Sequence, residues 1–256
     1  MVLAFDIGNT NIVMGLYEGQ ELIGHWRIDS NPARTVDDYG HLVLYILQRA
    51  GADSKVSGVV IGSVVPTLTY VFDKLGRRYF DVEPVVISGN TELGIAFDVD
   101  ASPSAVGADR IANAVAVRER YKCDCIVVDV GTATTFDLIS ADGTYRGGVI
   151  SPGINTSAES LIKKASMLSR VKIEAPLKVI GRDTQTMMQS GIFYGAICQI
   201  DGLVDRLREQ WGIPCQVIAT GGFVTMLAKY SRRFDAVDSN LTLDGLRMAF
   251  RIVTGH

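Results

Sequence analysis

Histidine, cysteine and tryptophan are all scarce in these 256 residues, at three, four and two. His25, His41 and His256 give little material for a histidine-built zinc site or a Ser-His-Asp triad, so any metal should be oxygen-ligated. Cys123, Cys125, Cys198 and Cys215 show no framework spacing, and Cys123-Asp124-Cys125 is not a CxxC motif. They read as reduced thiols of a cytosolic protein. Neither sign of charge dominates, with 25 Lys and Arg against 28 Asp and Glu and a net of −3. The densest basic stretch, Arg232-Arg233, is too short to attract polyanions, so neither nucleic acid nor an anionic membrane is expected as a partner. No apolar run approaches the roughly 18 residues that span a bilayer. The opening Met1–Phe5 run is too short for a secretory signal, lacks a basic flank and leads straight into Asp6, so a cytoplasmic location is expected. Low-complexity segments and Pro-, Gly- or Ser-rich linkers are absent. So are a Walker A loop (GxxxxGK before Ser or Thr) and a GxGxxG fingerprint, which excludes P-loop and Rossmann readings.

What is present is a repeated turn. Phe5-Asp6-Ile7-Gly8-Asn9-Thr10 near the start and Val128-Asp129-Val130-Gly131-Thr132-Ala133-Thr134-Thr135 near the middle share one grammar, about half a chain apart. In each, an apolar β-type run ends in Asp-x-Gly-(Asn/Thr) and continues into a second apolar run. The length allows one large domain or two small ones, and 47% hydrophobic content supports a substantial core.

The surrounding pattern repeats as well. Val2–Phe5 reads as a strand, Ile12–Tyr17 and Glu21–Ile28 as a hairpin, Thr35 to Ala50 as a helix stopped by Gly51. Val56–Ile61 and Pro84–Ile87 read as strands around a helix Leu68–Phe80. In the second half Cys125–Val130 is the strand, Thr135–Ile139 and Tyr145–Ile150 the hairpin, Ile154–Lys164 and Thr184–Trp211 helices, Gln216–Ala219 a strand and Thr242–Thr254 a closing helix. Strands alternating with helices predict an α/β fold with largely parallel sheets.

The turn has a chemical logic. In α/β sheets ligands gather beyond the carboxyl ends of strands. There an Asp can hold a cation directly or through water, and Gly8 and Gly131 let backbone N–H groups approach phosphate oxygens. Asn9, Thr10, Asn11, Thr132, Thr134 and Thr135 add short donors. One such turn could be no more than an Asx turn at a strand end. Two, each before a predicted hairpin, point to phosphate binding.

The two-copy pattern resembles the phosphate loops of the superfamily that holds acetate and sugar kinases, heat-shock chaperones and actin. Ile218-Ala219-Thr220-Gly221-Gly222-Phe223 fits its third element, a Gly-Gly turn flanking the nucleoside. Pro103-Ser104-Ala105-Val106-Gly107-Ala108-Asp109-Arg110 then resembles the Gly-x-Asp-Arg segment of type III pantothenate kinases. So do Gly147-Gly148-Val149-Ile150-Ser151-Pro152-Gly153 and the stretch from Thr184 to Gly191 with Tyr194-Gly195, in family order from Asp6 to Gly222.

That resemblance implies two ribonuclease H-like, actin-like halves, about 1–118 and 119–256, each a mixed sheet flanked by helices, with a cleft between them. It implies phosphorylation of pantothenate by ATP, the first step of coenzyme A synthesis, with Asp109 as catalytic base. Asp6, Ile7, Gly8, Asn9, Thr10, Asn11, Ile12 and Val13 match the ATP-binding turn, and Thr132 a second ATP contact. Asp129 matches the ligand of a monovalent cation, K⁺ or ammonium, and Mg²⁺ is expected with ATP. Gly107, Ala108, Asp109, Arg110 and Thr184 match pantothenate contacts, although from the residues alone Thr184 reads more readily as a helix cap. The family commonly carries a Tyr that touches pantothenate three residues before this segment's Pro, and the resemblance puts Asp100 at that substrate-binding position here. The helix Thr184–Trp211, with Ile192, Tyr194, Ile197, Ile200 and Leu203, offers enough apolar surface for a homodimer, which the resemblance also implies. Two rivals stay open: a nucleotide-binding regulatory protein without kinase activity, and a kinase for another hydroxyl compound.

Overall fold

The structure, a computed structural model, describes residues 1–52, 56–164 and 171–255. The chain forms two compact units: Met1–Lys122 with Asp142–Tyr145 and Leu241–His256, and Cys123–Ala141 with Arg146–Asn240.

In the first unit Val2–Ile7 (β1), Asn11–Glu18 (β2), Glu21–Asp29 (β3), Gly58–Ser63 (β4) and Val85–Val86 (β5) form one sheet in the order β3-β2-β1-β4-β5. β1 pairs antiparallel with β2 and parallel with β4. Its near-continuous apolar run suits a strand covered on both faces. On one face Leu3, Phe5, Ile7, Ile12, Met14 and Leu16 pack with side chains of two helices, Val36–Arg49 (α1) and Pro66–Phe80 (α2). Thr35 caps α1 through a reciprocal box with Asp38. The opposite face takes the chain's last helix, which packs on β1, β2 and β4. Three strand glycines make room for it: a Cβ at Gly15, Gly58 or Gly62 would strike Leu243, Phe250 or Leu246. Against that last helix lies Ala108–Ala116 (α3), so close that a Cβ at Gly245 would strike the Ala112 carbonyl.

The second unit repeats the plan. Cys125–Val130 (β7), Ala133–Ile139 (β8), Thr144–Pro152 (β9), Gln216–Thr220 (β10) and Ala236–Val237 (β11) run in the order β11-β10-β7-β8-β9, the same topology strand for strand. β7 again pairs antiparallel with its hairpin neighbour and parallel with β10. Ile126, Val128, Val130 and Phe136 pack with Ile154 of Ile154–Lys164 (α4) and Phe193, Ile197, Ile200 and Val204 of Thr184–Trp211 (α5). Ile192, Tyr194 and Leu203 also lean on this core. The apolar side of α5 is therefore occupied within its own unit.

The elements occupy the expected places, with additions. Ala96–Phe97 (β6) pairs with Thr144 and Tyr145, residues of the first unit, while Val224–Leu227 (α6) follows β10 and Leu241–Thr254 (α7) closes the chain. β6, β11 and α6 are too short to show a period in sequence. All four cysteines are free, and burial pushes the Cys125 thiol well above its ordinary pKa. Among the described residues no helix is long and apolar enough to cross a membrane.

Candidate active site

In the first unit, the Asp6 turn joins β1 to β2. Asp6 pairs with Val13 and Ile7 with Ile12, and Gly8 N–H closes the turn on the Asn11 carbonyl at 3.0 Å. Asn9, Thr10 and Asn11 are exposed and Asp6 is half-buried. Ile7 and Ile12 are fully buried. Any nucleotide contact at those two positions is therefore made by main chain, as an approach of backbone N–H groups to phosphate requires.

Asp109 stands at the second position of α3, after the N-cap Gly107. Behind it Ile111, Ala112, Ala114 and Val115 are buried, so the helix is clamped and only its first turn is accessible. The Asp109 carboxylate accepts the Arg110 N–H at 2.9 Å, and the first-turn dipole favours a negative charge there. Arg110 is half-buried with its guanidinium 5.6 Å from the Tyr145 ring centroid. A cavity of about 680 Å³ reaches Gly107 and Ala108 and is also lined by Val64, Tyr70, Ile87 and Val106. Asp100 is exposed in the segment after β6 and is not among the lining residues.

Gly107 is fitted to Asp109. A Cβ there would collide with Asp109 Oδ1 and come within 3.3 Å of Val64 Cγ1. Its φ of −59° suits any residue, so the substitution Gly107→Ala should leave the fold intact and push the carboxylate aside. Were the carboxylate a reacting group, a displacement of that size would lower kcat by about tenfold or more. Steady-state kinetics beside a thermal melt would show it, and an unchanged kcat would mean that the carboxylate's position is not critical.

In the second unit the Asp129 turn joins β7 to β8. Asp129 pairs with Thr135 across the hairpin and with Thr220 of β10. Gly131 N–H closes the turn on the Ala133 carbonyl at 2.9 Å, one residue tighter than at Gly8. Thr132 is exposed, and its carbonyl accepts the Thr156 hydroxyl at 2.6 Å and the Gly153 N–H at 3.1 Å. Gly221, with φ +98°, brings the third turn directly against the Asp129 carboxylate and the backbone of Val130. The Gly-Gly turn and the second Asp turn thus meet within one unit.

Asp129 is half-buried, and Thr135 presents its hydroxyl on the same face. These hard oxygen donors suit K⁺ or ammonium better than a thiophilic metal. The motifs did not single out Asp137, which is wholly buried on that face and accepts the Thr135 hydroxyl at 3.2 Å. Two residues on from Thr135 in a strand, it shares the face by simple alternation, and that spacing was its only signal.

Thr184 is not the cap of α5. Asp183 holds that place through a reciprocal box with Thr186. Those bonds from the Thr186 backbone and hydroxyl hold the Asp183 carboxyl below its ordinary pKa. Thr184, the first helical residue, is exposed.

A family model for type III pantothenate kinase matches residues 2–206. A type III pantothenate kinase from Myxococcus xanthus is 45% identical over 251 residues, 98% of each chain. Another from Exiguobacterium sp. is 42% identical over 251 residues, again 98% of each. Among solved structures, a protein described as a Baf family transcriptional activator from Campylobacter jejuni superposes with TM-score 0.62 at 21% identity, covering 99% of this chain and 100% of that one. A ROK hexokinase from Thermus thermophilus gives 0.54 at 12% identity, covering 98% of each chain. At such identities the superpositions show a shared fold, a mixed α/β architecture of two helix-flanked sheets of the actin-like kind. Full-length identity above 40% carries more than a fold, and the chain belongs to the type III pantothenate kinase family.

Proposed function

We propose that this protein transfers the γ-phosphoryl group of ATP to the primary hydroxyl of pantothenate, opening coenzyme A synthesis. The observation that carries the reading is the Asp109 carboxylate, fixed at the open first turn of a buried helix beside a cavity large enough for a small substrate. In the transfer the bond between the γ-phosphorus and its bridging oxygen breaks as the substrate oxygen bonds to phosphorus. The hydroxyl proton passes to Asp109. The transition state is loose, so the carboxylate mainly aligns the hydroxyl and accepts its proton late.

The other roles follow the family assignment. Asp6 to Val13 bind ATP through a tight turn whose exposed residues are Asn9, Thr10 and Asn11, and Thr132 supplies a second contact. The family implies Mg²⁺ with the nucleotide, where it would offset phosphate charge. Asp129 holds K⁺ or ammonium, which offsets triphosphate charge. Gly107, Ala108 and Arg110 contact pantothenate with Asp109. Thr184, relieved of capping by Asp183, is available to do the same, while Asp100 stands where the family has its tyrosine. We place the enzyme in the cytoplasm as a homodimer. Because the core-facing side of α5 is filled, the dimer surface is better sought among the exposed Leu177, Ile180 and Met187 before and at the start of α5.

A coupled ADP-release assay with pantothenate tests the reading. Turnover is expected with Mg·ATP, with stimulation by K⁺ and little turnover in Na⁺ alone. ATP binding without turnover would favour the regulatory reading. Turnover only with another hydroxyl compound would favour a different kinase.

A further inference from the structure

The cavity beside Gly107 and Ala108 has a chemical character of its own. Val64, Ile87 and Val106 give it carbon surface, and its hydroxyls are engaged: Ser63 and Thr69 both donate to the Val65 carbonyl, at 3.2 and 3.1 Å. Its carboxylate, Asp73, is paired with Arg77 one turn along α2, at 3.2 Å. No lining side chain carries a positive charge, so a carboxylate finds no cationic side-chain partner inside. Tyr70 also lines the cavity yet leaves 64% of its surface in water, unusual for a ring with an apolar recess beside it. One turn further on, the Lys74 ammonium stands 5.5 Å from the Tyr70 ring centroid and makes no ion pair among the described residues.

These features match the two ends of one molecule. In pantothenate the reacting hydroxyl sits beside a quaternary carbon with two methyls, and the chain ends in a carboxylate. A hydroxyl at Asp109 puts the methyls among Val64 and Val106. We propose that Tyr70 and Lys74 form the far end of the acceptor site, with the ring packing on the amide-bearing chain and Lys74 receiving the carboxylate. Tyr70 then provides the aromatic contact that position 100 does not. An exposed Asp100 carboxylate would repel the anion, whereas the Lys74–Tyr70 stack attracts it.

This inference rests on the pantothenate kinase reading, and the experiment separates the two. ADP release is measured for wild type, Lys74→Met and Tyr70→Leu, with pantothenate and with its uncharged primary amide. Lys74→Met is expected to raise KM for pantothenate roughly fivefold, the upper range for one exposed ion pair. KM for the amide, KM for ATP and kcat stay the same. Tyr70→Leu is expected to raise KM for both acceptors roughly tenfold, because packing does not depend on the charged end. A pantothenate-to-amide ratio unchanged by Lys74→Met, in a wild type that turns over normally, overturns the Tyr70–Lys74 site and leaves the kinase standing. A wild type that turns over neither acceptor overturns both.

Discussion

Replacing Asp109 by asparagine lowers kcat for pantothenate phosphorylation by more than about 10²-fold, the usual contribution of a positioned general base. The substitution is close to isosteric. The amide oxygen can still accept the Arg110 N–H that the carboxylate accepts at 2.9 Å, so the helix start keeps its geometry. What goes is the proposed proton acceptor and the negative charge. Because the rest of α3 is buried and unaffected, the melting temperature should hardly move. KM for ATP should stay within about twofold, since the proposed nucleotide turn lies on β1 and β2. Steady-state ADP release and a thermal melt are the measurements. A variant within tenfold of wild-type kcat would remove Asp109 from the proton-transfer role and leave it a positioning group.

The elements that sequence reads best are those with strong local rules. β7 and α5 have their expected limits to the residue and α4 starts where expected, because an unbroken apolar run or a periodic stretch with polar ends leaves little freedom. The duplicated topology was visible because the Asp-x-Gly turn marks the same junction in both units. Other features depended on partners distant in the chain. β6 and β11 exist only through the strands they pair with. α7 seats on the first sheet because Gly15, Gly58 and Gly62 leave slots for its side chains, a fit that no window of sequence displays. Ile197 and Ile200 looked like surplus surface until the sheet beneath them was present. The cap of α5 fell to Asp183 rather than Thr184, one position that only backbone geometry decides. Asp6, Asp109 and Asp129 were legible as motifs, whereas the buried Asp137 was not. Nor was the cavity wall at Tyr70, because it meets Gly107 only through folding.

The second large effect belongs to Gly221→Ala. Its φ of +98° lies in a region that side chains rarely adopt, and strain there costs about 1–3 kcal/mol. The new methyl would also lie 2.6 Å from Val130 N and 2.7 Å from Val130 C, and it would overlap Asp129 Oδ1. A side chain tip could swing away, but the backbone of a central strand cannot. The exit of β10 must therefore part from the exit of β7, moving the Asp129 carboxylate and the third turn together. At about 2–4 °C per kcal/mol for a chain of this class, a loss of roughly 5–10 °C in Tm is expected. Activity should fall at least tenfold at temperatures where the variant is still folded, with stimulation by K⁺ weakened, because the displaced carboxylate is the proposed cation ligand. Gly191→Ala is the control within the same unit. That glycine lies in the interior of α5 with open space where a Cβ would go, so alanine should raise stability by up to about 1 kcal/mol and leave kinetics alone. A Gly221→Ala enzyme with wild-type Tm and an unaltered K⁺ response would show that the third turn yields freely, and that Asp129 does not depend on the close approach seen here.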